Sequence, residues 1–137
     1  MPHQLTFITR ETYDSLQDGI TIEAVLSVGE DPFVCKAKVD PGAQVCLFKR
    51  EIGEQLGIDI ESGYPRKLDT LTGTLLSYGH SVRLHTLGLE FDSVVYFSAT
   101  PNLRRNLLGR EGWLQKVRLA IVDYDSVIYL SPYEDQG

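Results

Sequence analysis

The feature that most constrains the fold is a series of short runs in which apolar and other residues alternate. Ile20–Val28 and Phe33–Val39 alternate in this way, and the residues between them, GEDP, are turn formers. Alternation with a period of two is typical of a strand that buries one of its faces. The two runs therefore predict a β-hairpin.

Runs of the same kind fill most of the remaining chain. Two extended runs surround Leu71–Thr74, with a glycine at the turn, and predict a long hairpin. Another hairpin is predicted around Tyr124–Ser126. Lys49–Gly57 has apolar residues on one helical face and a glycine at its end, which favours a short helix. We therefore predict an all-β fold, a small barrel-like or sandwich-like domain with one or two short helices.

Composition and charge argue against several functions. The net charge is −6 and no cluster of Lys and Arg stands out along the sequence, so nucleic acid and anionic membranes are not expected partners. The sequence lacks both a secretory signal pattern and a run of about 18 apolar residues, so we expect a cytoplasmic protein. Cys35 and Cys46 are then expected to remain thiols. Two cysteines and three scattered histidines are too few for a metal site, and we expect no metal and no cofactor.

The corner Asp40-Pro41-Gly42-Ala43 lies between two apolar runs and has two interpretations. As a turn, it has Asp first, Pro second and Gly third, a pattern that favours type II. As a site, it places a carboxylate at the end of a strand beside small residues. Gly42 and Ala43 leave space there and bring backbone N–H groups near the carboxylate.

Hydrolysis of a peptide bond would need a second carboxylate facing the first. Like charges about 3 Å apart cannot both ionise, so such a pair keeps one proton. The ionised member can take a proton from water while the protonated member polarises the scissile carbonyl. The chain has a single corner of this kind, so the second carboxylate would come from another copy related by a two-fold axis.

Two motifs, taken in order, resemble those of the retropepsin-like aspartic peptidases, especially the bacterial single-domain members. The first is Val39-Asp40-Pro41-Gly42-Ala43, which a strand follows. The second is Leu107-Leu108-Gly109-Arg110, which a short helical segment follows. Their order and separation, with a hairpin between them, suit that family, and the resemblance spans about Ile20 to Leu130.

The resemblance implies a closed, barrel-like retropepsin fold with a flap hairpin, and a homodimeric aspartic endopeptidase in which each subunit contributes Asp40. The substrate would be an extended peptide or protein segment bound as an added strand. With the chain length, it implies one domain over residues 1–137, with a core at about 20–130 and termini that are flexible or pair across the dimer. The implied substrate-binding residues are Gly42, Ala43, Leu71, Thr72, Gly73 and Thr74, and the implied supports of the active loop are Pro41, Leu107, Leu108 and Gly109.

Pro41 departs from the family pattern, which has Thr or Ser at this position. Proline has neither a hydroxyl nor an N–H group, so it cannot make the hydrogen bonds that join the two active loops across the dimer axis in the family. Each such bond is worth roughly 0.5–1.5 kcal/mol net. An alternative interpretation is therefore a catalytically inactive or weak module of the same fold that binds a peptide or protein.

Overall fold

The computed structural model describes residues 1–134, and most of its regular structure is β-strand. No helix among these residues is long and apolar enough to cross a membrane. Besides the strands there are one α-helix, α1 (Arg50–Gln55), and 3-10 turns at Ile60–Ser62, Leu114–Lys116 and Asp123–Asp125. The strands are β1 (Thr9–Thr12), β2 (Thr21–Val28), β3 (Asp31–Val39), β4 (Leu47–Phe48), β5 (Tyr64–Thr70), β6 (Gly73–Thr86), β7 (Leu89–Ser98), β8 (Asn106–Leu108), β9 (Val117–Val122) and β10 (Val127–Pro132).

The larger sheet closes on itself. Its strand order is β2-β3-β8-β4-β7-β6-β5, and β2 also pairs with β6. This extra pairing closes six strands into a barrel and leaves β5 as the outer partner of β6. The predicted all-β, closed barrel with short helices is therefore confirmed.

The β2–β3 hairpin follows from the alternation in the sequence. Ile22, Ala24 and Leu26 are buried, while the residues between them are more exposed. The strands pair up to Val28 and Asp31, so the turn takes only two residues and its glycine has a φ of +79°. The second strand therefore begins two residues earlier than the sequence pattern predicts, since a two-residue turn leaves more of the chain free to pair.

The β5–β6 hairpin pairs seven residues of each strand. β6 pairs with β5 along its first half and with β7 over residues 77–86. The turn at Leu71 and Thr72 is followed by Gly73, whose φ of +129° suits glycine. The hairpin predicted around Leu71–Thr74 is thus present, although Thr74 lies in the strand and not in the turn.

The barrel interior is filled by large apolar side chains. Trp113 is fully buried, and its indole N–H donates a hydrogen bond to Thr86 Oγ1 at 2.9 Å. Phe48 and Phe97 are also fully buried, with ring centroids 6.4 Å apart. A buried indole N–H needs such a partner, so the hydroxyl of Thr86 completes the packing around Trp113.

The N-terminal segment pairs within its own chain. β1 runs antiparallel to β10, in a small sheet of order β1-β10-β9, and the Ile8 N–H donates to Ser131 Oγ at 2.8 Å. We expected a terminus that is flexible or pairs across a dimer, but residues 9–12 form a strand within their own chain. They can do so because β9 occupies only one edge of β10 and leaves the other edge open. The last residues of the predicted C-terminal tail, 135–137, lie outside the described residues.

Candidate active site

The residues 40–43, called the Asp40 loop here, form a tight corner directly after β3. The carbonyl oxygen of Asp40 accepts a hydrogen bond from the Ala43 N–H at 3.1 Å. The carboxylate oxygen Oδ1 accepts another from the Gly42 N–H at 3.0 Å. Asp40 is half-buried, whereas Pro41 and Gly42 are exposed at the apex. The loop therefore presents its carboxylate to solvent in a fixed direction.

The turn is not of type II, so that prediction from the sequence is wrong. Type II requires a positive φ at the third residue, and Gly42 does not have one. The hydrogen bond from its N–H to the Asp40 side chain holds a different conformation. Glycine has another use here, since a Cβ atom at position 42 would lie 3.3 Å from Asp40 Oδ1.

The chain around β8 supports the Asp40 loop from behind. β8 lies parallel to β3, with Leu108 beside Val39. The Asp40 N–H donates to the Leu108 carbonyl oxygen at 2.9 Å, and the Arg110 N–H donates to the Ala43 carbonyl oxygen at 2.9 Å. One segment that is distant in sequence, residues 108–110, thus holds both ends of the corner.

Gly109 permits this close approach. A Cβ atom at this position would lie 2.1 Å from the carbonyl oxygen of Val45 and 2.8 Å from that of Ala43. Both contacts are with backbone, which cannot swing aside as a flexible side chain can. Any larger residue would therefore push the β8 segment away from the Asp40 loop.

None of these hydrogen bonds uses the nitrogen of residue 41. The donors are the N–H groups of Asp40, Gly42, Ala43 and Arg110. Proline at position 41 therefore leaves the support within one chain intact. The N–H and hydroxyl that Pro41 lacks could therefore matter only for contacts between the exposed apex and another molecule.

An apolar cluster extends from the Asp40 loop to the β5–β6 hairpin. Val45, Leu47 and Tyr96 are its buried members. They come from the segment after the loop, from β4 and from β7. The partly buried side chains packed against them are Leu68, Leu75, Leu103 and Leu107.

The structure separates the sequence-predicted site residues into two groups. Gly42, Ala43, Leu108 and Gly109 lie in or directly behind the Asp40 loop, and Leu107 joins the apolar cluster next to it. The other group, residues 71–74, is fully on the surface at the end of the β5–β6 hairpin. Thr70 Oγ1 braces that end by donating to the Gly73 carbonyl oxygen at 2.7 Å.

An ion pair that the sequence analysis missed joins the hairpin to the loop support. Arg66 of β5 donates to both carboxylate oxygens of Glu111, at 3.3 Å and 3.2 Å. Its guanidinium also lies over the Tyr96 ring, 5.4 Å from the centroid. The hydrogen bonds from Arg66 hold the pKa of the Glu111 carboxyl below its ordinary value of 4.5. No local sequence signal reveals this pair, because its two members lie 45 residues apart.

Neither Cys35 nor Cys46 is in a disulfide in the structure. Cys46 is fully buried, and this burial raises its pKa to about 12. Cys35 is half-buried, and desolvation raises its pKa to about 11. Neither thiol is poised to act as a nucleophile, which requires a lowered pKa. Within residues 1–134, His, Cys, Asp and Glu side chains do not gather in threes as a metal site would require.

Comparison with known proteins gives structural relatives only. No protein-family model matches the chain, and no curated protein matches it. A retropepsin-like aspartic protease from Rickettsia conorii has a similar structure, with a TM-score of 0.64 and 20% identity over 93% of this chain and 100% of that one. EIAV protease, solved with the inhibitor HBY-793, has a TM-score of 0.51 and 18% identity over 73% of this chain and 88% of that one.

The chain therefore has the retropepsin-like fold, as its two motifs predicted. The first neighbour is matched over its whole length, so the likeness concerns the fold of nearly the whole chain. At these levels of identity, the likeness establishes the fold, and the chemistry has to be argued from the site itself.

We predict that Gly109→Ala strongly destabilises the protein, because its Cβ atom would collide with two backbone oxygens. The expected loss in the free energy of unfolding is about 3 kcal/mol, measured by urea denaturation. Gly29→Ala is the matched control, because a Cβ atom at position 29 would meet no other atom, although Gly29 has a φ of +79°. This substitution should lower the free energy of unfolding by only about 1 kcal/mol. Equal losses in the two variants would contradict the role of close approach at Gly109.

We predict that the coupling between Arg66 and Glu111 disappears in acid. The pKa of Glu111 is lower in the folded than in the unfolded state, so the pair contributes stability above pH 4.5 and loses it as the pH falls through the folded pKa. Both side chains are partly exposed, so we expect a coupling of at most about 1 kcal/mol at pH 7. A double-mutant cycle with Arg66→Gln and Glu111→Gln, repeated at several pH values, measures it. Coupling that persists unchanged into strong acid would refute the electrostatic origin.

Proposed function

We propose that the protein is an aspartic endopeptidase that works as a homodimer, with Asp40 of each subunit as the catalytic residue. One observation carries this proposal. The Asp40 carboxylate lies on a glycine-containing corner that one distant backbone segment, residues 108–110, holds at both ends, on a retropepsin-like barrel. A plain connecting turn would not need this support, whereas a catalytic group must be held in place before its substrate arrives.

The proposed chemistry uses two Asp40 carboxyl groups that share one proton. The ionised carboxylate takes a proton from a water molecule, whose oxygen forms a bond to the scissile carbonyl carbon. The protonated carboxyl donates its proton to the carbonyl oxygen, which gives a tetrahedral diol. The carboxyl that took the proton from water then donates it to the amine nitrogen as the C–N bond breaks. One hydroxyl of the diol gives its proton to the other carboxylate as the C=O bond re-forms, so the two carboxyl groups again share one proton.

The proposed substrate is an extended peptide segment lying between the Asp40 loop and the β5–β6 hairpin. The exposed end of that hairpin, Leu71–Thr74, would act as a flap that closes over the peptide and excludes water. Gly42 and Ala43 leave room for a peptide backbone beside the carboxylate. The apolar cluster around Tyr96 would receive apolar side chains of the peptide.

The proposed setting is the cytoplasm, with the whole chain acting as one domain and another copy of it as partner. The two free thiols, one of them fully buried, suit a reducing compartment. The proposed reaction needs no metal and no cofactor, because the carboxyl pair supplies both the base and the acid.

Pro41 favours a second candidate function, a non-catalytic module that binds an extended peptide beneath the hairpin. The residue lies at the exposed apex of the loop, where a second loop would meet it. It offers no N–H and no hydroxyl to that second loop. A subunit that fails to pair would keep its peptide-binding surface but lack the second carboxylate.

We predict that Asp40→Asn abolishes cleavage of a mixed peptide library, scanned from acidic to neutral pH and read by mass spectrometry. The substitution keeps the shape of the side chain and removes the base, so the rate should fall by at least about a thousandfold. Asp125→Asn, at an exposed turn far along the chain, is the matched control and should keep full activity.

The comparison between the two variants separates the two functions. Acid-labile Asp-Pro bonds break without an enzyme, so a cut between Asp40 and Pro41 in acid does not count as activity. Cleavage that survives Asp40→Asn would overturn the catalytic proposal. Peptides that bind the native protein and emerge uncut at every pH would establish the binding module instead.

A further inference from the structure

The fold gathers cations that are scattered along the sequence. A groove of about 270 Å³ is lined by Lys36, Lys38, Lys49, Arg104 and Arg105, and we call it the cationic groove. These five residues are a large share of the 13 Lys and Arg residues in a chain whose net charge is −6. Their concentration in one place distinguishes this surface from the acidic remainder of the protein.

A buried asparagine fixes the backbone of the cationic groove. Asn106 is 4% exposed, and its side-chain amide donates to the Lys36 carbonyl oxygen at 2.8 Å. Its Oδ1 accepts from the Lys49 N–H at 2.9 Å. Arg105 precedes Asn106 directly in the chain. Three segments that each carry cations are thus tied to one side chain, so the grouping of charges is built into the fold.

The cations of the groove outnumber the carboxylates beside them, which are Asp18 and, opposite Lys36 on β2, Glu23. Asp18 is the one carboxylate among the lining residues, and Arg105 binds it at 3.1 Å. This hydrogen bond lowers the pKa of the Asp18 carboxyl, which therefore stays ionised. The other four cations make no direct ion pair with any of residues 1–134, although Lys38 and Arg104 also attract the Asp18 carboxylate. An excess of one sign of charge in a concave surface concentrates the field and attracts an anionic ligand.

Part of the lining of the cationic groove lies on β3, the strand that ends at the Asp40 loop. Lys36 and Lys38 point outward from β3, since Ala37 and Val39 are buried. Strand alternation places the next outward position at Asp40 itself, about 7 Å further along. The stem of Lys38 lies over Gly19, where a Cβ atom would come within 2.8 Å of it. An extended chain crossing the loop would therefore meet these ammonium groups next.

We propose that the cationic groove binds an acidic segment of the extended peptide that the Asp40 loop receives. This inference rests on the proposed function, in which the other part of the same peptide binds at the Asp40 loop. Carboxylate side chains on an extended peptide fit the spacing of Lys36 and Lys38, because both chains repeat every two residues. Single-stranded nucleic acid fits less well, since the lining residues include no aromatic side chain on which a base would stack.

The test is direct binding of a fluorescein-labelled hexaglutamate peptide, measured by fluorescence anisotropy at low ionic strength. The protein carries Asp40→Asn, so binding is measured without any cleavage. Hexaglutamate should bind, hexaglutamine should not, and added salt should weaken the binding. The double variant Lys36→Gln with Arg104→Gln should bind about tenfold more weakly.

The matched control removes two charges elsewhere, by Arg10→Gln with Lys116→Gln, and should bind as the parent does. Equal weakening in the two double variants, or equal binding of the glutamate and glutamine peptides, would overturn the proposal. An oligonucleotide that binds more tightly than hexaglutamate would also overturn it and assign the groove to nucleic acid. The experiment measures binding alone, so a failure to bind hexaglutamate would not contradict the proposed peptidase activity. Likewise, if the protein cleaves no peptide, the binding result still decides whether the cationic groove binds acidic peptides.

Discussion

The close contact between Gly109 and the backbone of residues 43–45 is the constraint on which the rest of the site depends. It lets the segment after β8 pass directly behind the Asp40 loop. From there the N–H of Arg110 holds the Ala43 carbonyl, while the Leu108 carbonyl holds the Asp40 N–H. The same segment continues to Glu111, which binds Arg66 of the hairpin. Because residue 109 has no side chain, a single segment can contact both the Asp40 loop and the β5–β6 hairpin.

The sequence predicted the parts of this arrangement that depend on local patterns. Alternating residues predicted the β2–β3 hairpin, and the glycine after Thr72 predicted the turn of the β5–β6 hairpin. The Asp40 corner and the Leu107-Leu108-Gly109 run pointed to the fold, because the two motifs occur together and in a fixed order. Motif order carries long-range information that strand periodicity alone does not.

The features that could not be predicted from the sequence are formed mostly by residues far apart along the chain. The Arg66–Glu111 pair and the cationic groove join residues from separate segments, and no spacing along the chain reveals them. The pairing of β1 with β10 was missed because a polar four-residue strand has little pattern of its own. The turn type was predicted wrongly because the side chain of Asp40, and not the preference of Gly42 for positive φ, decides the conformation.

Pro41 does not affect how one chain forms the Asp40 loop, but it would affect how two such loops meet. The hydrogen bonds that shape the Asp40 loop avoid its nitrogen, so one subunit can form the loop alone. Pro41 is exposed, so its missing N–H and hydroxyl can affect only contacts with another molecule. The peptidase proposal therefore requires that two copies bring their apices together without the hydrogen bonds that Thr or Ser would provide.

The measurement that tests this requirement most directly is the mass in solution of the unchanged protein, by sedimentation equilibrium over a wide range of concentrations. Pro41→Thr, which supplies both the N–H and the hydroxyl, serves as the comparison. The account predicts a dimer for the protein with Pro41 and a tighter dimer for Pro41→Thr. A protein with Pro41 that stays monomeric at the highest concentration would contradict it.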